Sequence, residues 1–283
     1  MERDHIFEGK GRFGTVYVAM NLESGKLVAL KQLKLERNDH RTMSQVGDEI
    51  ELFANMQPHP NLVKYYGVEI HREEALLFME YCDGGTLEKV CLQGLDEGLI
   101  RQYTHFLLCG LNHLHEVGNI VHRDVKTMNV FLTSGKHVLK LGDFGCSIRL
   151  QRDTTLHGEL QGLHGTIAYM APEMITGHPV PAKGRKGGSA DPARPDPANE
   201  YKGHGRACDI WSLGCVVIEM ITGKPPWHKL AGEQIQWKVG NGIHPEIPKN
   251  VGAQCRDFLN KCFPVDPRDR AKANELLEHA FAR

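Results

Sequence analysis

The chain has almost no net charge and no long apolar run, and each absence excludes a class of protein. Its 283 residues carry 34 Lys and Arg against 35 Asp and Glu, so no bulk charge favours binding to nucleic acid or to a membrane surface. The longest apolar stretch, residues 215–221, is interrupted by Glu219 and is too short to cross a bilayer. The first ten residues contain no apolar signal core, so we expect no secretory leader.

No C-x-x-C pair occurs among the eight cysteines. We therefore expect reduced, mostly structural thiols in a cytoplasmic protein, with a metal site or a disulfide framework as the alternative. A hydrophobic fraction of 41% and a charged fraction of 24% are ordinary for a globular chain. The length allows one or two domains with a large core.

A glycine pattern, G-x-G-x-x-G, stands at Gly9, Gly11 and Gly14. In a dinucleotide-binding fold these glycines open a helix, whereas in a protein kinase they form a hairpin over ATP. Here β-branched and aromatic residues follow in "TVYVAM", then a turn-like "NLESGK" and the apolar "LVALKQL". This order predicts a hairpin of two strands, which argues against an NAD-linked dehydrogenase.

The next segment has helical periodicity, with Val46, Ile50 and Phe53 on one face. Glu49 falls on that same apolar face, where a carboxylate is costly unless it is paired. Lys31, near the end of the second strand, is the candidate partner. A solvated surface glutamate is the alternative.

Two more strands are predicted within residues 61–70 and 75–81, which gives a small, mostly antiparallel β region with one helix. After residue 83 the pattern is mostly helical. Residues 209–223 are apolar on nearly all sides and end on glycine, which predicts a buried central helix. Two amphipathic stretches, residues 258–263 and 275–281, predict two more helices. Another helix is predicted from a stripe of residues at helical spacing, which consists of Ile100, Tyr103, Leu107, Leu111 and Leu114.

Residues 178–200 differ from the rest, with five prolines, three glycines and mixed charges. Such a composition buries too little apolar area to offset its ordering entropy. We predict a disordered surface insertion, with a proline-rich docking motif as the alternative.

Four motifs carry the chemistry. They are "VALK" ending at Lys31, "HRDVKTMN" at 122–129, "DFG" at 143–145 and "APE" at 171–173. In this order and spacing they resemble the signature set of protein kinases, and the resemblance covers essentially the whole chain. It implies an α+β, two-lobed protein-kinase fold over residues 1–283. The N-lobe would span 1–82, the hinge 80–83 and the C-lobe 84–283.

The resemblance also implies roles for individual residues in phosphoryl transfer from ATP. Asp124 would accept the substrate hydroxyl proton, Lys126 would neutralise the transferring phosphate, and Lys31, held by Glu49, would bind the α- and β-phosphates. Asn129 and Asp143 would bind Mg²⁺, since both offer hard oxygen ligands. The remaining ATP-binding residues would be Gly9, Lys10, Gly11, Gly14, Val16, Ala29, Met79, Glu80, Cys82 and Phe131.

Among these, Val16, Ala29 and Phe131 match the apolar residues that enclose adenine, Met79 matches the gatekeeper, and Glu80 and Cys82 would offer hinge backbone groups. Other motif residues have structural roles in the family. His122 and Phe144 match its hydrophobic stack with Phe53 and Tyr65, so proton transfer is not assigned to His122. Asp209 matches the brace of the catalytic loop, and Glu173 with Arg270 matches a buried ion pair.

Lys126 and "GTIAYMAPE", with Thr166 on the substrate-side loop, resemble Ser/Thr rather than Tyr kinases. The stretches "NDHRTM", "HPNLVKYYGVEIHREEALLFMEYCDGGTLE", "FLTSGKHVLKLGDFGCSIRL" and "GHGRACDIWSLGCVVIEMITGKPPWH" look like MEKK-type MAP kinase kinase kinases. The nearest branch heads stress-activated cascades and includes the animal fourth MEKK and fungal osmosensing kinases. The resemblance implies MAP kinase kinases as substrates, a cytoplasmic location, and regulatory segments or an upstream activator outside the chain. It allows a homodimer.

The sequence departs from this branch in its activation segment, where residues 159–164 contain no hydroxyl. Arg123, like the arginine before the catalytic aspartate in other kinases, requires a phosphate or acidic partner. We therefore hypothesise phosphorylation at Thr154 or Thr155. Residues 127–128 and 270–273 also differ from the usual motif residues, but none of these changes replaces a catalytic group. A pseudokinase scaffold is the alternative function, and the presence of every charged catalytic group argues against it.

Overall fold

The structure is a computed structural model. It describes residues 6–11, 14–34, 47, 50, 56–71, 74–133, 135, 138–144, 147–149, 167–177 and 205–283. In this part of the chain an antiparallel sheet is followed by a mainly helical region, as predicted. The strands are β1 Ile6–Gly11, β2 Gly14–Met20, β3 Leu27–Lys34, β4 Tyr65–His71, β5 Glu74–Glu80, β6 Ile120–Val121, β7 Val130–Leu132, β8 Leu139–Leu141 and β9 Ile148–Arg149. The helices are α1 Leu87–Val90, α2 Glu97–Asn112, α3 Pro172–Thr176, α4 Ala207–Thr222, α5 Gly232–Gly240, α6 Ala253–Cys262 and α7 Ala273–Leu277.

The N-terminal sheet has the strand order β1-β2-β3-β5-β4, and all its pairings are antiparallel. Gly11 pairs with Gly14 across the β1–β2 hairpin. The prediction that a strand, and not a helix, follows the third glycine is therefore confirmed. Strand β3 buries side chains on both of its faces, because Leu30 and Leu33 are both buried and residues three apart in a strand point to opposite faces.

The segment before β4 differs from the prediction, because the strand begins at Tyr65 and not at Asn61. Residues 61–63 instead bind the helical region. The Val63 N–H donates to Leu141 O at 2.9 Å, the Leu141 N–H donates to Asn61 O at 2.9 Å, and the Asn61 side chain donates to Leu139 O at 3.0 Å. These bonds use the backbone groups that a sheet neighbour would need, so the segment joins the two regions.

Helix α4 is the centre of the helical region. Thirteen of its sixteen residues are buried, which confirms the helix predicted from its all-round apolar pattern. It ends at Gly223, whose φ of 68° is left-handed. A Cβ there would meet Leu92 O at 2.6 Å, so the helix end requires glycine. Helix α2 buries its predicted stripe, but the chain continues as a π-helical turn over His113–Val117 that contains Leu114.

Two predicted segments fall largely or wholly outside the described residues. In the helix predicted around Val46, only Gly47 and Ile50 are described, and both have helical backbone. The insertion predicted at 178–200 is not among the described residues. Within the part that is described, no helix is both long and apolar enough to span a membrane.

Candidate active site

The catalytic loop, residues 122–129, connects strand β6 to a short 3₁₀ turn at Thr127–Asn129. Its conformation is held by Asp209 at the start of helix α4. The Asp209 carboxylate accepts the backbone N–H of His122 at 2.9 Å and of Arg123 at 2.8 Å, and the ring N–H of His115 at 2.8 Å. These bonds offset the cost of a left-handed Arg123, whose φ is 66°.

Asp209 is fully buried. Burial alone would raise the pKa of Asp209, but the His115 ring, the His122 ring and the His122 N–H together hold it below its ordinary value. The ionised carboxylate therefore acts as a fixed acceptor for the loop backbone, as a carboxylate bonded to several donors should. This contact fits the bracing role that the resemblance implied.

Three of the predicted catalytic and metal-binding side chains meet in the loop. The Lys126 Nζ donates to Asp124 Oδ2 at 2.7 Å, and the Asn129 amide donates to the same oxygen at 2.9 Å and to Asp124 O at 2.8 Å. Asp124 and Asn129 are both buried. One oxygen of Asp124 is therefore held by two donors.

The second oxygen of Asp124, Oδ1, is buried and has no hydrogen-bond partner in the described part of the chain. A buried acceptor without a donor is costly, so this oxygen can accept a hydrogen bond from a bound molecule. The Asn129 amide nitrogen uses its hydrogens on Asp124, so its oxygen is the atom that suits a cation.

Lys31 lies on β3 and reaches across to Asp143. Its Nζ is 3.3 Å from Asp143 Oδ1, and the lysine side chain is buried. Burial raises the pKa of Asp143, but Lys31, together with His122 and Lys126, holds it below its ordinary value. Asp143 has a left-handed φ of 59°, a strained conformation for a residue other than glycine. The Gly142 N–H donates to the backbone O of Asn129 at 2.9 Å, so Asp143 and Asn129 lie on hydrogen-bonded segments. A carboxylate and an amide are oxygen ligands that fit Mg²⁺, and Lys31 is a cation that fits a phosphate.

The predicted nucleotide-facing residues lie on neighbouring strands. Val16 pairs with Lys31 across β2 and β3, and Ala29 pairs with Met79 across β3 and β5. These apolar side chains are half-buried, so part of each surface stays accessible. The backbone of Gly9, Lys10, Gly11 and Gly14 forms the adjoining hairpin. Phe131 lies on β7 in the helical region.

Glu80 is the last residue of strand β5, and its side chain makes contacts that the sequence did not predict. Its carboxylate binds Lys140 Nζ at 3.0 Å and the Lys64 N–H at 3.1 Å. The Glu80 N–H donates to Lys64 O at 2.8 Å. Two residues later lies Cys82, whose pKa is raised to about 12, chiefly by burial and then by Glu80.

His122 has the contacts of a structural residue. Its Nε2 lies 3.0 Å from Gly142 O, its Nδ1 accepts the Asp124 N–H at 3.3 Å, and its ring is 5.1 Å from that of Phe144. With both ring nitrogens engaged and the side chain fully buried, no nitrogen is left to move a substrate proton. Its non-catalytic role remains a prediction that these contacts support.

Glu173 and Arg270 form the predicted ion pair, with two bonds of 2.7 and 3.2 Å between buried side chains. Arg270 also donates to Ala207 O and Pro264 O. The pair thus joins helix α3 to the start of α4 and to the loop after α6.

Sequence reasoning missed the contact of Tyr169 and Thr127 with Glu219 on helix α4. The available signal was the single carboxylate in an otherwise apolar helix, because such a group requires a buried partner. Several predicted residues lie outside the described part of the chain. They are Glu49, Phe53, Thr154, Thr155 and Thr166.

Comparison with known proteins agrees with this arrangement. The family described as "Protein kinase domain" matches residues 6–282. Human mitogen-activated protein kinase kinase kinase 4 is 47% identical over 277 residues, which cover 97% of this chain and 16% of the human protein. The chain therefore spans about a sixth of that relative.

Two fungal proteins are also similar. MAP kinase kinase kinase wis4 of Schizosaccharomyces pombe is 37% identical over 97% of this chain and 19% of its own length. Serine/threonine-protein kinase SSK22 of Saccharomyces cerevisiae is 38% identical over 96% of this chain and 20% of its own length. These relatives confirm the predicted resemblance to MEKK-type MAP kinase kinase kinases.

Proposed function

Because the chain belongs to the protein kinase domain family, we propose that it transfers the γ-phosphoryl group of ATP to Ser or Thr of MAP kinase kinases. The observation that carries this proposal is the unpartnered, buried Oδ1 of Asp124, flanked by Lys126 and Asn129. An inactive scaffold would have no need to keep this costly acceptor. The names of the similar proteins support the substrate class.

Each residue has a distinct task in the proposed reaction. Asp124 Oδ1 accepts the proton of the substrate hydroxyl, while Asn129 and Lys126 fix the other oxygen so that Oδ1 keeps its direction. Lys31 binds phosphate oxygens, and Asn129 and Asp143 hold Mg²⁺. When bound, ATP supplies the phosphoryl group, and Mg²⁺ neutralises charge on its phosphates. Glu49 remains the proposed partner of Lys31.

The nucleotide would lie between the sheet and the helical region. We assign its adenine to Val16, Ala29, Met79 and Phe131, and its phosphates to the hairpin that contains Gly9, Lys10, Gly11 and Gly14. The hinge backbone at Glu80 and Cys82 would bind the edge of the base. The end of β5 at Glu80 supports lobes of residues 1–82 and 84–283 joined by a hinge at 80–83. Residues 178–200 remain a proposed insertion.

Activation by phosphorylation is a further part of the proposal. The Arg123 Nε is buried and has no hydrogen-bond partner within the described residues, and its backbone is strained. A phosphate on Thr154 or Thr155 would supply the missing acceptor. Mapping phosphosites on active enzyme tests this idea, and finding both threonines unmodified contradicts it. A cytoplasmic place in a stress-activated cascade, with an upstream activator, completes the proposal.

The test is transfer of labelled phosphate from ATP with Mg²⁺ to a catalytically inactive MAP kinase kinase. We expect Asp124→Asn to lower the rate by about 10²- to 10⁴-fold, since a positioned proton acceptor contributes that much. Asp143→Asn should also abolish transfer, whereas Asp257→Asn, an exposed change on α6, should leave it unchanged. Equal transfer by wild type and Asp124→Asn contradicts the activity. Transfer to a generic basic protein alone contradicts the substrate class.

A further inference from the structure

Two histidines that the proposed mechanism does not use stack on each other where the segment before strand β4 meets the end of helix α2. The ring centroids of His59 and His113 are 4.7 Å apart, and the rings are inclined by 29°. His59 lies between Pro58 and Pro60, and His113 is the first residue of the π-helical turn that follows α2. Both histidine side chains are partly buried. We refer to these two residues as the histidine pair.

Hydrogen bonds of the histidine pair determine which ring nitrogens carry protons. His59 Nδ1 accepts the Asn61 N–H at 3.1 Å, so this nitrogen has no proton of its own. His113 Nε2 lies 3.0 Å from the carbonyl oxygen of Gln57, and because a carbonyl only accepts, Nε2 must donate. Neutral rings satisfy both bonds. A protonated His59 cannot, because an imidazolium has no acceptor nitrogen.

The backbone around His59 leaves its ring little freedom to move away. A proline fixes its own φ and restricts the residue before it, and His59 has a proline on each side. The His59 carbonyl also accepts the Leu62 N–H at 3.1 Å. This bond closes a turn over residues 59–62, in which Pro60 occupies a position that favours such turns. The turn therefore holds the His59 ring close to His113.

A positive charge on His59 would meet other positive groups. Burial lowers the pKa of His59, and His113 and then Lys140 on β8 lower it further. Lys140 is itself bound to Glu80 at 3.0 Å, so part of its charge is offset. Two imidazolium rings in stacking contact would also repel each other. His59 is therefore neutral in the folded protein at neutral pH, and its protonation in acid disfavours the folded arrangement.

Asn61 connects the histidine pair to the proposed active site. Its carbonyl accepts the Leu141 N–H at 2.9 Å, and its side chain donates to Leu139 O at 3.0 Å. Leu141 stands two residues before Asp143 in the chain. Asn61 is buried, and loss of the bond to His59 is costly for a buried N–H. A disturbance at Asn61 therefore reaches the strand that leads to a proposed Mg²⁺ ligand.

We propose that the histidine pair is a pH-sensitive joint between the segment before β4 and helix α2, closed while His59 is neutral and opened by its protonation. Opening loosens Asn61 and, through Asn61, strand β8. Mild acid thus lowers phosphoryl transfer. This consequence for activity rests on the kinase function proposed above, whereas the joint itself does not.

The first test compares urea unfolding of wild type and His59→Asn between about pH 7.5 and 5.5. Asparagine keeps an acceptor oxygen near the position of Nδ1 but does not titrate. A histidine pKa lowered by folding stabilises the protein above the unfolded value of 6.5, and this stabilisation is lost as pH falls through the folded value. Over this range the unfolding equilibrium constant of wild type should rise about threefold or more relative to that of His59→Asn.

A matched control is needed because the chain contains 16 histidines. His71 is an exposed histidine at the end of β4, and His71→Asn should follow wild type at every pH. A second variant covers the case in which His59→Asn folds poorly. His113→Gln can still donate to the Gln57 carbonyl but carries no charge, so it removes the repulsion and keeps the bond.

An NMR titration of the His59 ring measures its protonation directly. In wild type the pKa of His59 should lie below 6.5, and in His113→Gln it should rise towards that value, while His71→Asn leaves it unchanged. The proposal is overturned if His59 titrates at or above 6.5 in wild type, or if His113→Gln does not raise its pKa. Parallel loss of stability in wild type and His59→Asn also overturns it.

Transfer of labelled phosphate to the MAP kinase kinase tests the consequence for activity. The ratio of the rate at about pH 5.5 to that at about pH 7.5 should be about twofold higher in His59→Asn than in wild type, the factor expected when half of the wild-type molecules carry a protonated His59. Equal ratios in both proteins overturn the link between the joint and transfer. If wild type transfers no phosphate at any pH, the kinase function is wrong, and the unfolding and NMR measurements alone decide on the joint.

Discussion

Helix α4 binds the catalytic loop through two buried carboxylates, one in its first turn and one near its C-terminal end. The pKa values of these two carboxylates are shifted in opposite directions. Asp209 accepts two backbone N–H groups and a His115 ring N–H, and its pKa lies below the ordinary value. Glu219, about 15 Å further along the helix, accepts two neutral hydroxyls, and its pKa lies above it.

Similar burial therefore does not shift the two pKa values in the same direction. Burial raises both pKa values, and the donors decide the outcome. Backbone N–H groups next to imidazole rings stabilise the ionised Asp209 more than burial disfavours it, whereas two hydroxyls do not achieve this for Glu219. We infer that the Asp209 contact is the main structural support of the loop and that the Glu219 contact is weaker and easier to change.

The largest effect is expected from Asp209→Ala. It leaves the N–H groups of His122 and Arg123 and the His115 ring buried without an acceptor, so the free energy of unfolding should fall by about 3–5 kcal/mol. Urea unfolding measures this loss. Asp209→Asn, which keeps one acceptor oxygen, should lose less. A loss under about 1 kcal/mol for Asp209→Ala would contradict the difference between the two contacts.

Glu219→Leu should have a smaller effect. Two buried hydroxyls lose their acceptor, which costs about 1–3 kcal/mol, but the penalty for burying a carboxylate disappears. The same urea experiment measures the change, with Glu219→Gln as the control that retains an acceptor. A loss as large as that of Asp209→Ala would show that the two contacts are equivalent.

The two carboxylates should also differ in their response to pH. The folded-state pKa of Glu219 is above 4.5, so its contribution to stability is complete below about pH 4.5 and is lost as pH rises through the folded-state value. Glu219→Gln should therefore gain stability relative to wild type between about pH 4.5 and 7, by about 1.4 kcal/mol per unit of pKa shift. Thermal unfolding at several pH values measures this trend.

The pH dependence of stability that we expect from Asp209 has the opposite sign. Its folded-state pKa is below 3.8, so its contribution is present above about pH 3.8 and is lost in stronger acid. Wild type and Glu219→Gln should therefore share the same loss of stability below that pH. Parallel stability curves for the two proteins from pH 4.5 to 7 would contradict the assignment to Glu219.

The smallest effect is expected at an exposed ion pair beside the start of α4. Arg206 Nη1 lies 2.9 Å from Glu116 Oε1, and the side chains are 36% and 46% exposed. Glu116→Ala should change the free energy of unfolding by less than about 1 kcal/mol, and by still less in high salt. A loss comparable to that of Asp209→Ala would mean that burial does not explain the strength of the Asp209 contact.

Local patterns in the sequence predicted much of this arrangement. The β-branched and aromatic residues after Gly14 predicted the hairpin. The kinase-like motif that contains Asp124, Lys126 and Asn129 implied that these residues act together, and their side chains do meet. In each case, the residues that form the signal lie within a few positions of one another in the sequence. The burial of helix α4 was equally predictable from the sequence, because apolar residues occupy nearly all sides of the helix.

Contacts between distant segments were not predictable in this way. Tyr169 and Glu219 are 50 residues apart and Thr127 and Glu219 are 92 apart, so no periodicity relates them. The strand predicted from Asn61 begins at Tyr65 because residues 61–63 bind β8, which lies more than 70 residues later. The identity of such partners depends on the folded topology, which single-sequence patterns do not contain.

The partial burial of Cys82 has a consequence for chemical labelling. Because its pKa is raised to about 12, very few molecules carry the thiolate at pH 7, and the thiolate is the reactive form. An electrophilic compound directed at the end of strand β5 should therefore react slowly at this cysteine, even when it binds tightly. Selectivity at this position would have to come from residence time and shape, because the sulfur itself offers little nucleophilicity.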